Sequence, residues 1–172
     1  MFKRILVPLD GSELAEQALP LAVALGHQFN SHLILIRMVE FTYPSLFMPH
    51  MTSATAVSMS ETYEQAKQEA HHYLLAQQKK LQADGINAQI ILCEAEAAEG
   101  IIYNAKENQV DCIVMSTHGR SGLARWTLGS VADKVARHAP CPVLLARQHN
   151  AFDQENLTTH HSISIKEDNY VS

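Results

Sequence analysis

The residues of this chain best suited to chemistry lie in the stretch Ser116-Thr-His-Gly-Arg-Ser-Gly-Leu-Ala-Arg-Trp-Thr-Leu-Gly-Ser130. An apolar run, Cys112-Ile-Val-Met115, precedes it and reads as a buried strand. Val131-Ala-Asp-Lys-Val-Ala-Arg137 follows and reads as a helix. A small-residue loop from a strand's carboxyl end to a helix's amino end presents unpaired backbone N–H groups, and the helix dipole favours negative charge there. That combination suits phosphate. Gly119 and Gly129 let a ligand approach the backbone closely, and Ser130 can cap the helix or bond a phosphate oxygen. Arg120 can pair with phosphate oxygens. His118 reads as a loop-shaping or stacking residue rather than a general base. Outside the loop, Asp10 can bond a ribose hydroxyl or a phosphate-bound metal, or it can serve only the turn before Gly11.

These residues need a scaffold, and hydrophobic periodicity outlines one. Ile5-Leu-Val-Pro8 reads as a short buried strand. Ser12 reads as a helix cap, and Ala15, Ala18, Leu19, Ala22 and Leu25 recur at helical spacing to about Gln28. Leu33-Ile-Leu-Ile36 is a second strand, continuing to about Val39 and apolar on both faces, as a central parallel strand should be. Residues 40–60 read as an irregular loop holding Pro44, Pro49 and several methionines. Ser58 and Glu61 have capping-box spacing, which predicts a helix from Glu61 to Ala83. A strand over Asn87–Cys93, a helix over Ala97–Glu107, a strand over Val110–Met115, a helix over Gly129–His138 and a strand over Pro142–Ala146 complete the series. Strand–helix alternation requires crossovers and a parallel sheet, so the fold class is α/β. From residue 148 to 172 the pattern stops, and a polar, acidic tail of this kind reads as disordered.

Three segments of the chain together resemble one family. The loop resembles the nucleotide-binding signature of ATP-binding universal stress proteins: Gly, two residues, Gly, nine residues, Gly, then Ser or Thr. The frame falls on Ser116, Gly119, Gly129 and Ser130, with Ser116 standing where the pattern has Gly. The opening Ile5-Leu-Val-Pro-Leu-Asp-Gly-Ser12 and the closing His138-Ala-Pro-Cys-Pro-Val-Leu-Leu145 are also similar to that family. The resemblance runs from Phe2 to about Arg147, which implies a nucleotide-binding domain over residues 1–147. It implies a Rossmann-like open five-stranded parallel sheet of order 3-2-1-4-5, with helices on both faces. Strands 1 and 4 would then adjoin where the winding reverses, and ligands bind in that crevice. It further implies ATP with magnesium as the ligand. Asp10 would line the pocket, Met38 would offer backbone atoms to the adenine, and Pro8 and Met115 would form walls. Val131, next to Ser130, completes the set. A homodimer through the apolar edge Val143-Leu-Leu145 is implied as well.

Composition narrows the alternatives. A net charge of −5 argues against a general nucleic-acid binder. Cys93, Cys112 and Cys141 sit in or beside apolar runs and read as reduced thiols of a cytoplasmic protein. No signal-peptide form and no membrane-length apolar run is present. The ten histidines include the neighbours His71-His72, which point about 100° apart on a helix and do not make a metal pair. There is no Walker A lysine and no dinucleotide Gly-x-Gly-x-x-Gly. The clustered acids of a receiver domain are missing too. The expectation is therefore a nucleotide-binding stress or signalling protein that acts by binding, with no catalytic residue assigned. A slow ATP hydrolase and a dimeric interaction module without nucleotide are the alternatives.

Overall fold

The computed structural model describes residues 1–40, 53–117 and 128–147. Among them, strands β1 (Arg4–Pro8), β2 (His32–Met38), β3 (Ala88–Cys93), β4 (Cys112–Ser116) and β5 (Val143–Ala146) pair in the order β3-β2-β1-β4-β5. Every pairing is parallel. The helices are α1 (Glu13–Glu16), α2 (Leu19–Phe29), α3 (Ser53–Ala83), α4 (Ala97–Glu107) and α5 (Ser130–His138).

Successive side chains on a strand point to opposite faces, and here both faces are buried. Ile5, Val7, Leu33, Leu35, Cys112 and Val114 pack with α1, α2 and α3 through Ala15, Ala22, Leu74 and Leu81. Leu6, Ile34, Ile36, Ile113 and Met115 pack with α4 and α5 through Ala98, Ile101, Ala132 and Val135. The expected helices on both faces are present, as is the strand order that the family resemblance implied.

Two helices depart from the sequence-based reading. The helix expected from Ser12 to Gln28 is two helices. Ser12 caps α1 as expected, its Oγ accepting from the Ala15 N–H at 3.1 Å. Pro20 then stands in the first turn of α2. Proline has no N–H to donate and suits only such a start, so the chain breaks before it. The second departure is α3, which begins at Ser53 rather than Glu61. The Ser58–Glu61 capping box does not form, because Ser58 lies inside the helix and its carbonyl accepts from Thr62 Oγ1 at 2.9 Å. Residues 41–52 and the tail 148–172 lie outside the described residues.

All three cysteines are free. Cys112 is buried against one sheet face while Cys141 packs against the other. Burial, aided by Cys141, pushes the Cys112 thiol up to about 11. No described helix is long and apolar enough to cross a membrane.

Candidate functional site

Because β1 lies between β2 and β4, the chain leaves the carboxyl ends of β1 and β4 toward opposite faces of the sheet. Such a reversal leaves a crevice. A cavity of about 570 Å³ fills it, within the range of about 300–1,000 Å³ common for small-molecule sites. Pro8 and Asp10 line it from the end of β1, Met38 from β2, and Met115 and Ser116 from β4. Gly129, Ser130 and Val131 line it from the start of α5. Eight residues singled out in the sequence thus surround one space. His118, Gly119 and Arg120 lie outside the described residues.

At the α5 end the site is made of backbone. Gly129 N–H donates to the Thr117 carbonyl at 2.9 Å, tying the two ends of the loop together. Thr117 N–H in turn donates to Ala146 at 3.2 Å. Gly129 is the N-cap of α5, in extended conformation, and brings no side chain to cap it. The N–H groups of the first turn have no partners within their own helix, and Ser130, Val131 and Ala132 from that turn line the cavity. Asp133 follows, and Arg137 one turn on holds its carboxyl below the usual range through contacts of 3.0 and 2.9 Å.

Helix α4 reaches the same cavity with Ala97, but its amino end is closed. The Glu96 carboxylate accepts from the Glu99 N–H at 3.0 Å. That bond, with Lys134 beside it, holds Glu96 below the usual carboxylate range. Lys134 of α5 bridges Glu96 at 3.2 Å and Glu99 at 3.1 Å, so the two helices are clamped side by side.

At the end of β1, Asp10 Oδ1 accepts from Ser12 N–H at 2.9 Å and Ser12 Oγ at 2.6 Å. The turn passes through Gly11 at φ +86°, a conformation that side chains rarely adopt. A Cβ there would also lie 3.0 Å from the Arg37 guanidinium. Arg37 lines the cavity with its Cζ 5.2 Å from the Tyr73 ring centre. Tyr73 Oη and Gln77 Nε2 both donate to Glu16 Oε1, at 2.9 and 2.8 Å. Burial, then Glu16, pushes the Tyr73 phenol up. This network docks α3 on α1 and holds the aspartate turn from behind.

Toward β2 and α4 the wall turns apolar, with Ile36, Met38, Ala97 and Ile101, and Ala66 of α3 closing the side. Lys67, next to that alanine, pairs with Glu94 beyond β3 at 2.7 Å. Reading the sequence missed Arg37, Ala66, Ala97 and Ile101. Three of them are apolar helix residues with no local mark to set them apart from core. Arg37 carried a signal, as the one charge inside the apolar run from Leu33 to Val39.

Known proteins share this fold. The model of the universal stress protein family matches residues 1–147. Universal stress protein YxiE of Bacillus subtilis is 31% identical, over 86% of this chain and all of that one. Universal stress protein MJ0531 of Methanocaldococcus jannaschii is 30% identical, over 86% and 84%. Among solved structures, MJ0577 superposes with a TM-score of 0.74 at 27% identity, covering 88% of this chain and 99% of that one. UspA of Lactobacillus plantarum gives 0.69 at 26%, covering 85% and 98%. Fold and sequence agree: the chain belongs to the universal stress protein family.

Proposed function

We propose that the cavity binds ATP, with magnesium on its phosphates, and that the protein acts by holding the nucleotide rather than turning it over. The observation that carries this reading is the amino end of α5, which shares its cavity with the aspartate turn after β1. Phosphate oxygens would accept from the first-turn N–H groups and Ser130 Oγ, where the helix dipole adds attraction. Gly119, His118 and Arg120 belong to the same phosphate loop in this reading. Asp10 would take the ribose hydroxyls. The base would lie in the apolar end, against Ile36, Met38 and Ile101, with Pro8 and Met115 beneath the sugar.

Two solved proteins with this fold carry nucleotides: a universal stress protein in complex with cAMP, and an Arabidopsis thaliana member with AMP bound. At 20% and 15% identity they speak for the fold alone. The choice of ATP rests on the loop signature and the cavity.

Asp10 argues for binding over hydrolysis. Its Oδ1 is committed to Ser12, which suits a turn-forming ligand contact better than a base for water. We further propose a cytoplasmic homodimer paired through β5, where Leu145 is 37% exposed on an edge strand. The nucleotide reading is tested by calorimetric titration of the full chain with magnesium ATP. Saturable binding near one nucleotide per chain is expected, and neither heat nor thermal stabilisation would remove the reading. Sedimentation checks the dimer, and a monomer at micromolar concentration would contradict it.

A further inference from the structure

Gly100 stands in the interior of α4, where glycine weakens a helix more than any residue but proline. Its φ is not in the left-handed region, and no turn is made there. What the position lacks is room. A Cβ on Gly100 would lie 2.6 Å from Met38 Sδ, 3.4 Å from Met38 Cε and 3.1 Å from Ala95 Cβ. Non-bonded heavy atoms of this kind rest at about 3.5–4.0 Å, so the thioether occupies the notch that the missing methyl leaves. Met38 is at the same time part of the cavity wall.

We infer that Gly100 is a specificity-determining residue acting through Met38: by accepting the thioether it keeps the apolar end of the cavity wide enough for a purine. This deepens the proposed nucleotide site and rests on it. Met38 is held between α4 and the cavity. On the helix side the core is closed by Ala98 and Ile101, both buried. A side chain pushed off Gly100 therefore turns toward the open volume. Methionine is flexible enough to do this without unfolding the strand. Gly100 touches no ligand in this arrangement and serves as a positioning residue.

The test compares wild type, Gly100→Ala, Met38→Val and the double variant, each titrated with magnesium ATP and with magnesium CTP. Gly100→Ala is expected to weaken ATP by about tenfold and CTP by less than about threefold, because the narrowed end still admits the smaller base. Met38→Val removes the long thioether, so adding Gly100→Ala to it should leave ATP affinity within about threefold. Equal losses for the two nucleotides, no loss for either, or no rescue in the double variant would overturn the inference.

A second readout does not depend on nucleotide. With methyl-labelled methionine, the Met38 signal, identified by its disappearance in Met38→Val, should shift in Gly100→Ala more than the other methionine signals. A signal that stays in place would overturn the inference even if the protein binds ATP. A signal that moves in a protein binding neither nucleotide would instead overturn the proposed ligand and leave the Gly100–Met38 contact standing.

Discussion

Two helices begin at the same cavity, and they begin differently. At α4 the N-cap is Glu96, whose carboxylate accepts a first-turn N–H of its own helix and also meets Lys134. At α5 the N-cap is Gly129, which has no side chain to give. Both termini carry the same dipole and the same surplus of N–H groups. One meets a resident anion; in the proposed reading the other meets the phosphates of the nucleotide. The contrast explains why a cavity with two helix starts would have a single phosphate end. At α4 a glutamate of the chain itself takes the place of such an anion.

Copying the α4 arrangement onto α5 should break the contrast most severely. Gly129→Glu places a carboxylate where phosphate would sit, so both occupation of the N–H groups and like-charge repulsion oppose the ligand. A loss of ATP affinity on the order of a hundredfold is expected by calorimetry. The melting temperature should hold or rise, because a capped helix is no less stable than an uncapped one.

Asp10→Ala should come next, with roughly a tenfold loss of ATP affinity, since a charged hydrogen bond is removed. Asp10→Asn keeps an acceptor for Ser12 and should retain the turn. The two variants therefore separate support of the turn from contact with the ligand.

Opening α4 should do the reverse of closing α5. Glu96→Ala removes a cap of about 1 kcal/mol and should lower the melting temperature by about 3 °C while leaving ATP affinity within a factor of two or so. Its pH dependence follows from the same bond. The folded carboxyl titrates below its ordinary value of 4.5. Its stabilisation is therefore complete above that value and is lost as pH falls through the lower folded one. Asp111 behaves alike, held low by the Arg4 and Lys3 N–H groups, at 2.8 and 2.7 Å. Acid unfolding followed by circular dichroism should be less steep in Glu96→Ala below about pH 4.5. The smallest effect belongs to Lys134→Met. It unclamps two exposed ion pairs and should lower the melting temperature less than Glu96→Ala does, and less still at high salt.

The contrast between the two termini also marks what could be read from the sequence. Gly129 and Ser130 were legible because a glycine frame between an apolar run and a helix is a local pattern. Asp10 was legible because it closes the first strand. The strand order came through family resemblance, since periodicity says nothing about which strands adjoin. Glu96 looked like any surface acid, and only the fold brings Lys134 to it. The same holds for Gly100 and Met38, which are far apart in sequence and meet through the sheet. The split of the first helix had a visible sign in Pro20, whereas the early start of α3 had none. Its second turn, Val57 to Ser60, is exposed and carries no apolar stripe.

The most direct measurement is a pair of titrations of the full chain with magnesium ATP, wild type beside Gly129→Glu, with the melting temperature of each as the control for folding. Saturable binding to wild type and a loss of order a hundredfold in a variant that melts no lower would establish the open start of α5 as the phosphate site. Equal affinity in the two folded proteins would contradict it.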